Sequence, residues 1–446
     1  MICQNCGFKC APENASFCPE CGLQMPKHSH LKTKDGQSVG SEPQFADFQI
    51  RAWMSDENHA AVLVHSSPVG DMRTPLTVPV DLESLSSSRQ TLDNLWLGDA
   101  GSYQSSIEIG NELSSVLLPP QVLSLLDRSL EQVDPGNVLR VRLCLDTVLI
   151  DLPWELLYRQ SSFRVGSLDG FLALDPRISI VREAPVSFRV QEITSSRQRL
   201  VYVGALGPKE NDGWLVKDEH KRLVEAVKPV KEFLYLEDKF QPASGNTIHK
   251  LLSQPTAIFH YSGHVQVFEN NRSALIREIH SHHNDWLYSE ELAGLLWKAK
   301  VRFAFFNACN SGDWTFVKPL LQTGGLAALI GVQGVVATSA AFAFSHKLYS
   351  YLAVGLSFDE AVTAARLHLL EPGVAPGPES CAWADFMVYM PSIQATLFPR
   401  PNDPAVREQQ QHARSERIQI VNNVTTVIQN IGTVASGGKV TGINEK

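Results

Sequence analysis

The sequence predicts an α/β fold in which a mostly parallel sheet flanked by helices is preceded by a β-rich region. Between residues 199 and 391 short apolar runs alternate with segments of helical character, which is typical of βαβ units. From Phe45 to Val80 apolar runs are separated by Ser, Pro, Gly and Asp, which indicates antiparallel strands. The 446 residues are enough for about two to four compact units.

Composition and charge narrow the classes of function. Apolar residues make up 43% of the chain and charged residues 19%, as in ordinary globular proteins. The net charge of −8 comes without a dense basic cluster, so nucleic acid is not the expected partner. The longest apolar stretch, Leu326–Phe344, is interrupted by Gly, Gln, Thr and Ser, which disfavours a membrane span. The chain opens without the features of a secretory signal, so we expect a cytoplasmic protein.

Five of the eight cysteines crowd into the first segment of the chain and form a candidate metal site. Cys3 and Cys6, then Cys18 and Cys21, form two Cys-x-x-Cys pairs whose four thiolates can surround one zinc ion tetrahedrally. A glycine follows each pair, as in a zinc ribbon. Cys10 has no partner at this spacing, and its role stays open. We expect the zinc to be structural, because four thiolates leave no open coordination position.

The region after the cysteines is expected to support the reactive part of the fold. A helical stretch near Ile107–Leu130 is broken by the pair Pro119-Pro120. Val138–Leu145 alternates strictly between apolar and other residues, which predicts a half-buried strand with Arg140 and Arg142 on its exposed face.

Two later strands end in residues that can carry chemistry. One runs through Ala257–Ser262 into His264, and the other runs through Arg302–Asn307 into Cys309. Sites in parallel sheets lie beyond the carboxyl ends of the strands, so we expect the two side chains to meet. A thiolate beside an imidazole can attack a carbonyl carbon. We expect the backbone N–H groups of Cys309 and Val265 to form the oxyanion hole.

Several motifs along the chain can be compared with those of known families: YSGH at 261–264, NACNSG at 307–312, LPWELLY at 152–158, GVQGVVATSA at 331–340 and LYSYLAVGLSFDEAVTAAR at 348–366. Together they resemble the CHAT domains among the caspase-like clan CD cysteine peptidases. The resemblance covers Phe45–Pro399. It implies a caspase-like fold and a cysteine endopeptidase that cleaves protein or peptide substrates.

The resemblance also assigns roles to single residues. It implies His264 as general base, Cys309 as nucleophile and Asn307 as a contributor to the primary specificity pocket. Most relatives carry glycine directly after the histidine, where this chain has Val265. Relatives often act as regulated effectors in bacterial defence or cell death, which implies an activating protein partner.

Four further side-chain groups receive simpler interpretations. His260 shares a strand face with His264 and is expected to support the site. Asp313 and Asp385 are candidate acidic contributors to the specificity pocket, but the expected interpretation of each is a solvated loop carboxylate. The His280–His283 run lies in a polar stretch and is interpreted as a solvated loop. Cys144 and Cys381 are expected to be core thiols.

These observations divide the chain into six segments. They are a zinc ribbon (1–25), a linker (26–44), a supporting part (45–190), a caspase-like peptidase part (199–399), a charged connector (400–417) and a β-prone tail for assembly or recruitment (418–446). The tail predicts self-association or binding of an activator, and a flexible tail is an equal alternative. Two other functions stay open: an inactive adaptor that binds partners through ribbon and tail, and a ribbon that senses nucleic acid.

Overall fold

A computed structural model describes residues 46–391, apart from 88–101, 135–136, 160–167, 185–197, 206–209, 232–233, 238, 245, 280–283, 372 and 375–380, together with positions 412, 415 and 419. These residues belong to one compact unit, Gln44–Lys446. The predicted zinc ribbon, linker, charged connector and tail lie outside the described residues, apart from those three positions, as does the loop at 280–283.

The described elements form an N-terminal half (residues 46–184) and a C-terminal half (residues 198–391). The strands are β1 Ala46–Met54, β2 His59–Ser66, β3 Leu76–Pro79, β4 Leu139–Leu145, β5 Ile178–Glu183, β6 Gln198–Gly204, β7 Leu234–Leu236, β8 Ile258–Val267, β9 Ser273–Ile279, β10 Asn284–Tyr288, β11 Phe303–Cys309, β12 Ala328–Val332 and β13 Phe386–Tyr389. The helices are α1 Ser102–Leu117, α2 Pro120–Gln132, α3 Glu210–Val227, α4 Thr247–Leu251, α5 Ser289–Lys298, α6 Trp314–Gly324, α7 Thr338–Ala353 and α8 Phe358–His368.

The strands form one 13-stranded sheet. Its main path runs β10-β9-β8-β11-β12-β13-β5-β4-β1-β2-β3, and β6 pairs with both β8 and β7. In the C-terminal half β7, β6, β8, β11 and β12 run parallel, whereas β13 is antiparallel to β12. Helices lie between successive parallel strands. The structure confirms the expected fold class, a mostly parallel α/β sheet preceded by a β-rich region.

The central strand β11 shows why the C-terminal half folds in this way. Each of its residues before Cys309 is buried. A parallel strand with helices on both faces has no solvent face, so its apolar run is continuous rather than alternating. This burial fixes the strand on which Cys309 is the last residue.

The N-terminal half confirms two of the predictions from sequence. α1 ends at Leu117 and α2 begins at Pro120, because proline fits the first turn of a helix but not its interior. β1 and β2, and β2 and β3, pair antiparallel.

The predicted half-burial of β4 is wrong. Arg140 is 1% exposed, and its Nε donates to Asp359 Oδ2 at 2.8 Å. Arg142 is also buried, and its guanidinium lies 3.2 Å from Glu183 Oε2. Each arginine is paired with a carboxylate far from it in the sequence, so the local alternation of residues could not reveal that the two arginines are buried.

The two halves share one sheet and one core. β5 and β13 pair in parallel through Arg182 and Tyr389, and α8 of the C-terminal half packs on β5. α8 begins with a capping box in which Ser357 and Glu360 satisfy each other's backbone N–H groups. Among the described residues, no helix is long and apolar enough to cross a membrane.

Candidate active site

The structure brings Cys309 and His264 side by side. Cys309 on β11 is in register with His264 on β8, and the two strands are parallel. Adjacent strands lie about 4.8 Å apart, and residues in register point to the same face of the sheet. Cys309 is partly exposed and His264 is exposed, so both are open to a substrate. β8 continues to Val267, so the histidine lies within the strand and not beyond its end.

Tyr261 fixes the backbone at the histidine, and Gly263 gives it room. The Tyr261 hydroxyl accepts a hydrogen bond from the His264 N–H at 3.0 Å and donates one to the Ile276 carbonyl at 2.6 Å. A Cβ atom at Gly263 would lie 2.5 Å from the Tyr261 hydroxyl oxygen, closer than real contacts allow. Burial raises the pKa of Tyr261, which keeps the hydroxyl protonated. Tyr261 and Gly263 both belong to the YSGH motif, but the motif alone does not reveal the hydrogen bond between the Tyr261 hydroxyl and the His264 N–H.

The turn after Cys309 is bound tightly to β12. Asn310 adopts a left-handed conformation with φ of 59°. The Ser311 hydroxyl donates to the Phe306 carbonyl at 2.6 Å and accepts from the Val332 N–H at 2.9 Å. A Cβ atom at Gly331 would lie 2.6 Å from the Ser311 carbonyl oxygen, so only glycine permits this approach. The last three residues of the motif NACNSG, together with Asp313, thus form a tightly hydrogen-bonded turn, which we call the 310–313 turn.

Val265 lies on the opposite side of the strand from the candidate dyad. It is 7% exposed, whereas its neighbours His264 and Gln266 are exposed. Side chains alternate along a strand, so the Val265 isopropyl group points to the face away from His264 and Cys309. The N–H groups of Val265 and Cys309, the predicted oxyanion donors, lie on neighbouring strands.

Asn307 lies two residues before Cys309 on the same face of β11, and a buried carboxylate lies against it. Its Nδ2 donates to Glu219 Oε1 at 2.7 Å, and Glu219 on α3 is fully buried. Within the described part of the chain, Asn307 Oδ1 has no hydrogen-bond partner. Sequence reasoning missed Glu219, because nothing in the pattern of α3 marks one carboxylate among several as internal.

Glu219 belongs to a buried polar cluster on this face of the sheet. The Tyr202 hydroxyl donates to Glu219 Oε2 at 3.0 Å, and His260 Nε2 lies 3.4 Å from Glu219 Oε1. His260 Nδ1 lies 3.1 Å from the Tyr349 hydroxyl. His260 therefore lies on the predicted face, where it supports the buried cluster below the surface.

The charge state of Glu219 follows from its neighbours. Burial alone would raise the pKa of Glu219, but the interactions of the carboxylate with His260, Ser262 and Ser345 outweigh burial and lower the pKa below its ordinary value of 4.5. Glu219 is therefore ionised at neutral pH, and a negative charge lies behind Asn307.

The two aspartates expected in solvated loops have different surroundings. Asp385 is 1% exposed, so its predicted exposure is wrong. It directly precedes β13, and its carbonyl accepts from the Gln333 N–H at 2.7 Å. Asp313 is partly buried and caps α6 by accepting from the Thr315 N–H at 2.8 Å. Its position is explained by helix capping.

The described residues include only some of the cysteines outside the candidate dyad, and none of the predicted zinc ligands. Cys3, Cys6, Cys18 and Cys21 lie outside the described residues, and so does Cys10. Within 46–391 as described, no group of three or more His, Cys, Asp or Glu side chains is arranged to hold a metal ion. Cys381 is buried, with its sulfur 2.7 Å from the Ser106 hydroxyl, whereas Cys144 is only partly buried.

The solved structures similar to this chain include two of gingipain R and one of separase. The Arg-specific cysteine proteinase gingipain R is 13% identical, with a TM-score of 0.39 over 63% of this chain and 70% of that chain. The complex of pro- and mature domains of RgpB from Porphyromonas gingivalis is 12% identical, with a TM-score of 0.40 over 72% and 79%. Separase from Saccharomyces cerevisiae, in its complex with securin, is 11% identical, with a TM-score of 0.44 over 78% and 30%.

Sequence comparisons identify the family. No curated protein matches the chain significantly. The family model of the CHAT domain matches residues 108–391, which is more than half of the chain and includes β8, β11 and the 310–313 turn. The chain therefore belongs to the CHAT domain family.

Proposed function

We propose that the protein is a cysteine endopeptidase with Cys309 as nucleophile and His264 as general base. The observation that carries the proposal is the register pair of Cys309, the last residue of β11, and His264 on the neighbouring parallel strand β8. Membership of the CHAT family and the open position of both side chains support it.

The proposed reaction needs only groups that this chain supplies, together with water. His264 takes the thiol proton, and the Cys309 sulfur bonds to the carbonyl carbon of the peptide. The N–H groups of Cys309 and Val265 stabilise the negative charge on the carbonyl oxygen. His264 then protonates the leaving amine as the C–N bond breaks, which leaves a thioester. Water, deprotonated by His264, displaces the sulfur and releases the acid.

We further propose that the buried charge at Glu219 sets part of the substrate preference. Asn307 lies between Cys309 and the Glu219 carboxylate, so a substrate side chain directed toward Asn307 approaches a negative charge. Like charges in a poorly solvated site repel strongly. Peptides with an acidic residue before the cleaved bond should therefore be poor substrates.

The test is cleavage of a mixed peptide library by the purified full-length protein, with and without lysate from the source cells to supply an activator. Cys309→Ala and His264→Ala should each abolish cleavage. Cys144→Ala is the matched control, because it removes a second partly buried thiol and should leave cleavage unchanged. Cleavage that persists in Cys309→Ala would refute the proposal, and absence of cleavage under every condition would favour the adaptor function.

The biological role that we propose is a regulated cytoplasmic effector in bacterial defence or cell death. The resemblance to CHAT proteins supports this role, and an activating protein or a second copy bound through the tail would supply the signal. Deleting residues 418–446 should abolish activation by lysate while leaving the catalytic unit folded. Activation that survives this deletion would assign recruitment to another segment.

We also propose that Cys3, Cys6, Cys18 and Cys21 bind one structural zinc ion, on the strength of their spacing. Metal analysis of the full-length protein should find about one zinc per chain, lost in Cys18→Ser but kept in Cys10→Ser. Loss of zinc in Cys10→Ser would revise the ligand set.

A further inference from the structure

One residue of the N-terminal half contacts both the exit of the 310–313 turn and the loop after β12 that binds this turn. Asp151 lies between β4 and β5, far from Cys309 in the sequence. Its Oδ1 accepts a hydrogen bond from the Trp314 N–H at 2.9 Å. Its backbone carbonyl accepts from Gln333 Nε2 at 2.8 Å. Neither bond is part of regular secondary structure, and both cross from one half of the sheet to the other.

The two donors, Trp314 and Gln333, lie directly beside the turn and in the loop to which the turn is hydrogen-bonded. Trp314 is the first residue of α6 and directly follows the turn. Gln333 directly follows β12, and the carbonyls on its two sides, Val332 and Gly334, accept at 2.8 Å from the N–H groups of Gly312 and Asn310. Asp151 therefore braces the turn at its exit and braces the loop to which the turn is hydrogen-bonded.

The charge of Asp151 suits its position. α6 has 11 residues, and the N-terminus of a helix of this length favours a negative charge. Asp313 already accepts from the Thr315 N–H, so the Asp151 carboxylate takes the preceding N–H group, that of Trp314. The two carboxylates thus satisfy successive donors that would otherwise be unpaired within the helix.

A second path from the N-terminal half to the turn runs through Tyr389 of the C-terminal half. The Tyr389 hydroxyl donates to the Gly312 carbonyl at 2.9 Å. The Arg182 guanidinium of β5 lies 5.9 Å from the centre of the Tyr389 ring, and it is bonded to Glu155. The N-terminal half thus contacts the turn directly through Asp151 and indirectly through Tyr389.

We infer that Asp151 is a positioning residue that holds the 310–313 turn, and with it the Cys309 thiol, in line with His264. This inference rests on the proposed function, because it gives Cys309 a reactive role. Misplacement of a reacting group by about 1 Å can cost about 100-fold in rate. Asp151 is therefore a point at which a movement of the N-terminal half changes the reactivity of Cys309.

The test compares two variants of Asp151 with a matched control. Asp151→Ala removes the carboxylate, whereas Asp151→Asn keeps an oxygen that accepts from Trp314. Asp56→Ala is the control, because Asp56 also accepts a backbone N–H bond in the N-terminal half, from Asn58 at 2.9 Å, in the segment between β1 and β2. All three are assayed below their unfolding midpoints, as full-length protein.

Two readouts separate positioning from general destabilisation. The first is the rate of Cys309 alkylation by iodoacetamide as a function of pH, followed by mass spectrometry. The second is kcat and KM on the best library peptide. Asp151→Ala should lower kcat at least about tenfold with little change in KM, and Cys309 should alkylate with the pH profile of an ordinary thiol. Asp151→Asn should recover most of the wild-type kcat and most of the wild-type alkylation profile, and Asp56→Ala should match the wild type.

The outcomes distinguish the inference from the function on which it rests. A folded Asp151→Ala protein with the wild-type alkylation profile, or an equal effect of Asp56→Ala, would overturn the role of Asp151. Cleavage that persists in Cys309→Ala would instead overturn the peptidase proposal. The alkylation readout needs no substrate, so it decides the role of Asp151 even when no peptide is cleaved.

Discussion

The two halves of the sheet bury charge in different ways. In the N-terminal half, Arg140 and Arg182 on the strands face Asp359 and Glu155, and Arg140 with Asp359 joins the two halves. In the C-terminal half, Glu219 lies among a histidine, tyrosines and an amide on the face of the candidate dyad. The first arrangement holds halves together, whereas the second places a charge behind a reactive group. Each can be broken separately.

The largest expected effect concerns Glu155. It is fully buried and lies within 3.9 Å of Arg366 Nη2, and it accepts from Arg182 Nε at 3.3 Å. Burial lowers the pKa of Arg366 to about 10, so both arginines stay charged at neutral pH. Glu155→Ala leaves these charges uncompensated and should lower the free energy of unfolding by about 3–5 kcal/mol in urea titrations. Glu183→Ala is the control: Glu183 is partly exposed where it faces Arg142, so its loss should lower the free energy of unfolding far less. Equal losses in the two variants would contradict this account.

The next effect concerns Asp359 and its dependence on pH. Burial alone would raise the pKa of Asp359, but Arg140 lowers it below the ordinary 3.8. The ionised carboxylate therefore contributes stability that is present above pH 3.8 and is lost as the pH falls through the lowered pKa. Asp359→Asn should lower the free energy of unfolding by about 2 kcal/mol at neutral pH. Urea midpoints of variant and wild type should converge in acid, and a gap independent of pH would refute the ion pair's role.

A third prediction tests the charge behind Asn307. Glu219→Gln keeps an oxygen that accepts from Asn307 Nδ2 but removes the negative charge. Cleavage of peptides with an acidic residue before the cleaved bond should rise about tenfold relative to neutral peptides, which corresponds to about 1.4 kcal/mol. Competition between paired peptides measures the ratio. Glu237→Gln is the control, because Glu237 is not fully buried, and an unchanged ratio in Glu219→Gln would exclude Glu219 from specificity.

The smallest expected effect concerns Tyr261. Tyr261→Phe removes the hydroxyl that bonds the His264 N–H and the Ile276 carbonyl, and should cost about 1 kcal/mol of unfolding free energy. It should also lower kcat, because the His264 backbone loses its anchor. Thermal unfolding and cleavage assays measure both. Tyr235→Phe, at a ring that is 40% exposed, should change neither; a fully active Tyr261→Phe would show that the anchor is dispensable.

The sequence predicted best the strands of the parallel sheet that carry the candidate dyad. β8 and β11 were both expected as strands, and the adjacency of His264 and Cys309 followed from the rule for parallel sheets. Prediction from the sequence failed where the burial of a charged side chain depends on a partner far away along the chain. Arg140 is buried because Asp359 reaches it across 219 positions of the chain, and no local pattern contains that information.

The candidate site shows the same division. His264, Cys309, Val265 and Asn307 were found from motifs within single strands. Glu219 and Asp151 were missed, because each acts from the other side of a contact that exists only in the folded chain.

Covalent labelling tests the central proposal most directly. Peptidyl chloromethyl ketones, whose carbon bonds to a reactive thiolate as chloride leaves, are incubated with the activated protein, and the modified residue is mapped by mass spectrometry. The proposal predicts rapid labelling of Cys309 alone, slowed strongly in His264→Ala and absent in Cys309→Ala. Labelling of Cys144 at the same rate, or labelling of Cys309 that does not depend on His264, would contradict a dyad formed across β8 and β11.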